Sequence, residues 1–102
     1  MKLVVLANAT DESAKDEASE LERFRALEER IEAAGASIEE AWGLLGRYDY
    51  LMILDVAEGP KDAFAAMSAI AQSGTMRTES FVAMELESYF GLAATLAAGA
   101  RT

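Results

Sequence analysis

The sequence predicts an α+β domain whose elements follow one another as β-α-β-β-α-β, with one more helix at the end. Three observations predict this order: four short runs rich in apolar, β-branched and aromatic residues, two helical patterns between them, and two strand-like runs adjacent in the middle of the chain. The chain has 102 residues, the size of one ordinary domain. We therefore expect a single domain over residues 1–102, with a core at 2–84 and a C-terminal helix at 85–98.

The first strand and the first helix are separated by a change in hydrophobic spacing. Residues 2–7 form a Val/Leu run that ends at a turn beginning with Asn8. From about residue 14 to 34, apolar side chains recur three and four apart and glutamates occupy the other face. Gly35 follows, where a left-handed residue commonly ends a helix.

The middle of the chain predicts a β-hairpin. Residues 36–45 favour a strand, although the segment Glu39–Ala41 is equally compatible with a helix. Residues 48–57 form the clearest strand of the chain, and Gly46 with Arg47 makes the short connection.

The last third of the chain repeats the pattern of the first. Pro60 suits the first turn of a helix, apolar residues recur at helical spacing over 63–71, and Gly74 ends this helix. Residues 76–84 predict the fourth strand, and the alanine-rich segment 85–98 predicts the last helix. Two right-handed β-α-β crossovers joined by a hairpin give a ferredoxin-like, four-stranded antiparallel sheet with helices on one face.

The strands are apolar on both faces of this sheet. In the third strand Leu51 and Ile53 point one way, whereas Met52 and Leu54 point the other. Two helices cover one face, so we expect a homodimer, or an assembly of dimers, whose sheets pack face to face. The alternative is a monomer whose last helix folds across the second face.

Composition excludes several classes of protein. Eighteen acidic and nine basic residues give a net charge of −9, which argues against binding to nucleic acid or an anionic membrane. The chain has neither Cys nor His, which removes disulfides, iron–sulfur clusters and the commonest general base and metal ligand. We expect no cofactor, no metal and, since no targeting signal or membrane span is evident, a cytoplasmic protein.

Two segments resemble the GYD-domain family. Residues 44–53, Leu-Leu-Gly-Arg-Tyr-Asp-Tyr-Leu-Met-Ile, are similar to the Gly, Tyr and Asp signature, with one residue inserted after the glycine. Residues 76–81, Met-Arg-Thr-Glu-Ser-Phe, look like a second family block. The resemblance covers about Leu3 to Met84; residues 8–13 are looser, and the tail from Leu86 is an addition. It implies a dimeric α+β barrel without an established biochemical role.

The hairpin is also similar to that of the effector-binding domain of leucine-responsive-type bacterial regulators. That domain shares the element order and binds small ligands such as amino acids near subunit interfaces. Here the DNA-binding helix-turn-helix is missing. This second resemblance implies a stand-alone ligand-binding module.

The first candidates for a ligand site lie at the hairpin. The Tyr48 hydroxyl and the Asp49 carboxylate can orient a small polar ligand at the rim of a pocket. Alternatively, Gly46 supplies a positive φ for the turn and Asp49 caps local backbone N–H groups. We favour this structural interpretation.

Further candidates lie on the second and fourth strands. Arg77 and Glu79 are two residues apart, so they share a face and can bind a carboxylate and polarise a hydroxyl. Alternatively, they form an ion pair across an interface or with each other, and we favour this structural interpretation. Trp42 is interpreted as a core or interface anchor more readily than as a catalytic group. Asp55 shares a face with Leu51 and is expected to lie in water at the end of its strand.

These residues predict a non-enzymatic, homo-oligomeric module that binds a small anionic or aromatic ligand, or that serves in assembly. No catalytic residue is assigned. One alternative is a small cofactor-independent isomerase or monooxygenase of the dimeric α+β barrel type, an analogy at the level of the fold. Another is a purely structural subunit of a larger homo-oligomer.

Overall fold

The structure, a computed structural model, describes residues 1–10 and 20–100. Its elements follow the predicted β-α-β-β-α-β order with a further helix. They are β1 (Lys2–Ala9), α1 (Glu20–Ala33), β2 (Ala36–Gly43), β3 (Tyr50–Val56), α2 (Pro60–Gln72), β4 (Met76–Ala83) and α3 (Leu86–Ala100). The strands form one antiparallel sheet in the order β2-β3-β1-β4. The ferredoxin-like fold predicted from the sequence is thus confirmed.

One face of the sheet, the covered face, packs against α1 and α2. Alternate residues of β1 and β3 point into this layer because successive strand residues face opposite ways. Leu27 and Ile31 of α1, with Ala66 and Ile70 of α2, meet them there. The buried strand residues in this core are Leu3, Val5, Ala36, Met52, Leu54 and Val56.

The other side of the sheet, the open face, carries the intervening residues. Strand pairing places them in rows that cross the sheet from β2 to β4. One row is Trp42, Leu51, Leu6 and Glu79, and the next is Glu40, Ile53, Val4 and Phe81. No described helix packs on this face, and the predicted second apolar face is present.

The helix ends follow backbone rules that the sequence already indicated. Gly35 after α1 has φ of 93° and Gly74 after α2 has φ of 71°, both in the left-handed region that favours glycine. Pro60 is the first residue of α2, as predicted. The expected start of α1, at residues 14–19, lies outside the described residues.

The hairpin differs from the prediction at its turn. β2 ends at Gly43 and β3 begins at Tyr50, so six residues connect them instead of Gly46 and Arg47 alone. The main chain of Asp49 explains the longer loop, because its N–H donates to the carbonyl of Ala7 in β1. The Asp49 carbonyl accepts from the N–H of Leu44 at 2.8 Å, which closes the loop.

The positive φ expected at Gly46 is wrong. Gly46 lies in this loop but is not among the described residues with positive φ, and a Cβ added there would meet no atom of residues 1–10 or 20–100 within 4 Å. A six-residue loop distributes the reversal over more residues, so it does not need the left-handed glycine of a tight turn. The segment Glu39–Ala41 is strand, with a register irregularity between Ile38 and Glu40.

Helix α3 stands apart from the rest of the protein. Every residue from Leu86 to Gly99 is exposed, and the described molecule measures 60 × 30 × 18 Å. A helix of this length spans about 22 Å, so its projection accounts for much of the long dimension. In this structure the helix therefore does not fold across the open face, as the monomeric alternative required.

Candidate functional site

The β2–β3 loop is held against the end of β1 by Asp49. Its Oδ2 accepts a hydrogen bond from the N–H of Ala9 at 3.0 Å. Its own N–H donates both to the Ala7 carbonyl, at 3.0 Å, and to Oδ1 of Asn8, at 2.9 Å. Asp49 thus caps the backbone of a distant strand instead of the local turn, and it fixes where the preceding Tyr48 lies.

Tyr48 reaches across to β4. The hydrogen bond between its hydroxyl and the Glu79 carboxylate raises the pKa of Tyr48, and partial desolvation adds to this, while the charge of Arg47 opposes it. The guanidinium of Arg47 lies over the Tyr48 ring, with Cζ 5.5 Å from the centroid. Tyr48 therefore contacts a cation at its ring and an anion at its hydroxyl.

Arg77 and Glu79 lie on the open face of β4, as their spacing predicted. Arg77 is opposite Asn8 and Glu79 is opposite Leu6 in β1. Both residues are exposed. They do not form the expected mutual ion pair, since Glu79 bonds with Tyr48 and no carboxylate within the described ranges lies within 4.0 Å of Arg77.

Four of the five predicted site residues therefore gather at one end of the sheet. With Asn8, they form what we term the polar cluster: Asn8, Tyr48, Asp49, Arg77 and Glu79. Trp42 lies apart from Arg77 and Glu79, because β2 and β4 are opposite edges of the sheet, roughly 14 Å apart at the usual strand spacing.

Trp42 is 60% exposed on the open face, so its interpretation as a core residue is wrong. Its pairing with Leu51 places it at the margin of the apolar centre of that face. An interface role for Trp42 stays a prediction.

Asp55 ends β3 in the way that the sequence suggested. Its side chain is 47% exposed, and Oδ1 lies 3.8 Å from the N-terminal ammonium of Met1. The carboxylate is therefore in contact with water, as expected for a strand end.

Sequence reasoning missed two residues on the open face. The sequence indicated only a turn at Asn8, although an amide that ends a strand can bond with a neighbouring loop. Phe81 lies two residues beyond Glu79 on the same face and is 50% exposed. The two-residue period of β4 was sufficient to find it.

A cleft on the covered side was also missed. It has a volume of about 280 Å³ and lies between the first turn of α1 and the strand ends, where Phe24, Tyr50 and Met76 line it. Burial raises the pKa of Tyr50, and the charges of Glu20 and Asp49 add to this, while Arg23 opposes it. The strand pattern indicated only that Tyr50 shares a face with Met52 and Leu54.

Metal binding and membrane insertion have no support in the described parts of the chain. Across residues 1–10 and 20–100, no group of three or more acidic, His or Cys side chains could hold a metal ion. No helix within these ranges is long and apolar enough to cross a membrane.

The element order, the single antiparallel sheet and the loop held by Asp49 define a ferredoxin-like α+β protein. The sequence model of the GYD domain matches residues 3–92, so the chain belongs to the GYD-domain family. The match extends past Met84 into the first half of α3, and this part of the helix is therefore not an addition to the family pattern.

Among curated proteins, none matches this chain. Among solved structures, the chain is similar to the crystal structure of TTHA0845 from Thermus thermophilus. The two are 21% identical, the alignment covers 82% of this chain and 92% of the other, and the TM-score is 0.46.

Proposed function

We propose that this GYD-domain protein is a homodimeric module in which two copies pack their open faces together. The observation that carries the proposal is the uncovered apolar centre of that face. Val4, Leu6, Leu51 and Ile53 occupy it, and no described element of the same chain packs on them. Water contact with such a centre is unfavourable, and a second copy relieves it on both sides at once.

The arrangement of the open face fits the anatomy of a protein interface. Trp42 and Phe81 extend the apolar centre toward the two edges, and both are at least half exposed. Polar residues lie at the two ends of the strands, with Arg77 at one end and Lys2 at the other. An apolar centre with aromatic anchors and a polar rim is typical of interfaces between subunits.

The size of the face is also sufficient. Strands of eight residues in a four-stranded sheet give a face of roughly 26 by 19 Å at standard spacings. The projected area is about 500 Å², and the side chains that stand on it raise the accessible area toward the roughly 800 Å² that one side of a stable interface usually contributes. A two-fold dimer is the commonest closed assembly.

The test replaces Ile53 with a charged residue. Ile53→Glu places a carboxylate beside Glu40 at the centre of the face, and we expect the assembly to dissociate to monomers that remain folded. The matched control is Leu45→Glu, because Leu45 is a fully exposed residue of the β2–β3 loop. Sedimentation velocity at micromolar concentration gives the mass, and circular dichroism verifies the fold.

A parent protein that sediments with the mass of a single chain over the whole concentration range would refute the dimer. So would an Ile53→Glu variant that keeps the parent's mass while its circular dichroism is unchanged. Loss of mass in the Leu45→Glu control as well would show that added negative charge, not the open face, determines the result.

A ligand-binding role for the polar cluster is the second part of the proposal. Arg77 is exposed at the rim, and within the described ranges no carboxylate neutralises it. Its planar guanidinium suits a small carboxylate, and Tyr48 lies close to the same end of the sheet. If two open faces meet, the rim becomes a cleft that can hold a small anion.

Thermal unfolding in the presence of small carboxylic acids and amino acids tests this role. A ligand that binds the native state raises Tm in proportion to the logarithm of its concentration at saturation. We expect such a rise for the parent and its loss in Arg77→Gln, with Lys61→Gln as a control for the loss of an exposed cation elsewhere. A rise that persists in Arg77→Gln would remove Arg77 from the site.

The enzyme alternative lacks a matching observation. Asp49 and Glu79 are both exposed, and each carboxylate already accepts a hydrogen bond, from the backbone of β1 and from Tyr48 respectively. General-base catalysis favours a group held in a water-excluded pocket. A binding or assembly role suits the described residues better.

A further inference from the structure

Helix α3 has a face of large apolar side chains that no described element covers. At 100° per residue, one side of the helix carries the residues that we term the α3 stripe: Leu86, Tyr89, Phe90, Ala93 and Leu96. The opposite side carries Glu87, Gly91 and Thr95. The four large residues of the stripe are all at least half exposed. A 15-residue helix with two glycines is marginal alone in water, so this one needs a partner.

A groove elsewhere on the molecule has the matching chemistry. It lies between α2 and the edge strand β4 on the covered side, with a volume of about 390 Å³, and we term it the edge groove. Phe64 is 77% exposed and Val82 is 69% exposed in its walls. No charged side chain lines the groove. The apolar residues lining it, apart from the small Ala63, are Met1, Leu3, Pro60, Phe64, Met67 and Val82.

The shape of the molecule indicates that α3 docks on another molecule and not on its own chain. Only Met84 and Glu85 separate β4 from α3, and α3 projects from the body instead of turning back along α2. A helix about 22 Å long that extends beyond its own domain can bury its stripe on another molecule. The edge groove of its own chain remains empty in this arrangement.

The charge distribution permits a second copy as that molecule, provided that the two copies meet through surfaces without carboxylates. Each chain carries a net charge of −9, so most approaches between two copies are repulsive. The α3 stripe and the edge groove contain no carboxylate, which makes them surfaces through which copies can meet at little electrostatic cost. The same negative charge disfavours an anionic membrane as the partner.

The area is adequate for a stable contact. Four large side chains, each at least half exposed, offer roughly 100 Å² apiece, since an aromatic residue buries about 150–250 Å² in full. With a similar area from the groove, two reciprocal contacts remove about 1,600 Å² from water, the size of a standard interface.

We propose that the α3 stripe of one copy docks in the edge groove of a second copy. This contact uses the covered side and the helix arm, so it is separate from the open face and does not rest on the dimer proposed above. Two copies that exchange arms reciprocally form a closed pair. Combined with contacts through the open face, the exchange links pairs into a larger assembly.

The absence of cysteine from the sequence makes disulfide trapping a direct test. Phe64→Cys is combined in turn with Tyr89→Cys, Phe90→Cys or Leu96→Cys, and mild oxidation is followed by non-reducing electrophoresis. We expect at least one combination to give a product with the mass of two chains, containing more than half of the protein. Phe64→Cys with Thr95→Cys, on the opposite side of α3, is the control and should give at least fivefold less.

The same combinations are then repeated with Ile53→Glu present. Persistence of the two-chain product there supports the arm contact independently of the open face. A product that disappears with Ile53→Glu would show that the arm contact depends on the open-face contact. It would overturn the independence of the arm contact and leave the proposal of an open-face dimer standing. Single-cysteine variants identify any product that joins two equivalent positions.

Three results would overturn the arm exchange. A disulfide formed within a single chain would place α3 in its own groove. Equal trapping at Thr95→Cys and at the stripe positions would show random collision. The third result is that the parent cosediments with phosphatidylcholine vesicles, that Phe90→Ser abolishes this cosedimentation, and that no dimer is trapped. It would assign the α3 stripe to a lipid surface.

Discussion

The two faces of the sheet are built from neighbouring residues of the same strands, yet their surroundings differ. Leu54 is fully buried under α1 and α2, whereas Ile53, the preceding residue, lies on the open face with no described helix above it. Strand alternation alone places them on opposite sides. Nothing in the apolar character of either residue indicates which side the helices will cover.

The difference teaches that helix number limits what one chain of this fold can bury. Two crossovers of the same hand place both helices on one side of the sheet, and the third helix, which could have served the other side, projects outward. An apolar open face then has a use only in contact with something else. The covered face therefore contributes to the stability of one chain, whereas the open face contributes to the stability of an assembly.

Alanine substitutions at Leu54 and Ile53 separate these two contributions. They should cause the largest predicted change in the free energy of unfolding. Leu54→Ala leaves a cavity in the core and should lower the free energy of unfolding by about 2–5 kcal/mol, equally at all protein concentrations. Ile53→Ala should cost less within one chain, and its effect should grow as protein concentration rises into the range where copies associate. Urea unfolding at two concentrations a hundredfold apart makes the comparison.

If Ile53→Ala is as damaging as Leu54→Ala at the lowest concentration, the open face contributes to the stability of the isolated chain and the contrast fails. If Ile53→Ala shows no concentration dependence, association does not involve its side chain.

Most of the fold could be predicted because its signals are local. Gly35, Pro60 and Gly74 mark helix ends by backbone chemistry, and the two-residue period of β3 identifies both faces. The length of the hairpin loop could not be predicted, because it depends on Asp49 bonding to Ala7 and Ala9, forty residues away in sequence. Long-range pairing of this kind leaves no periodic signature.

The candidate site was predictable in part for the same reason. The spacing of Arg77 and Glu79 placed them on one face, but the partner of Glu79 proved to be Tyr48, which the loop delivers to it. Trp42 belongs to the same face but to the opposite edge, a separation that follows from the strand order and not from the sequence distance. Asn8 was missed because its role exists only once the loop is closed.

An effect of intermediate size is expected at the rim of the open face, where the titration of Tyr48 can be followed by spectroscopy. Glu79→Gln replaces the charged acceptor of the Tyr48 hydroxyl with a weaker, neutral one, so the pKa of Tyr48 should fall toward its ordinary value. Because folding raises this pKa, the interaction stabilises the protein below about pH 10, and its contribution is lost as the pH rises through the raised value. The ultraviolet absorbance of the phenolate follows the titration.

The change in the titration curve caused by Glu79→Gln should vanish when Tyr48→Phe is also present, because Tyr50, whose pKa is also raised, has other neighbours. A shift that remains in that background would mean that Glu79 acts on another phenol. No shift in either background would show that the hydrogen bond is absent in solution.

The smallest effects should come from two glycines, one beside the helix layer and one in the loop at the rim of the open face. Gly35→Ala forces a side chain into a φ of 93°, with its Cβ 3.5 Å from Cγ of Asp62, and should cost roughly 1–2 kcal/mol of unfolding free energy. Gly46→Ala meets no atom and requires no left-handed backbone, so it should change stability by less than about 1 kcal/mol and can be stabilising through the unfolded chain. Thermal unfolding of both variants at one protein concentration makes the comparison. A loss at Gly46 as large as that at Gly35 would mean that the loop packs against another copy at the rim, because no atom of the described residues lies within 4 Å of the added methyl group.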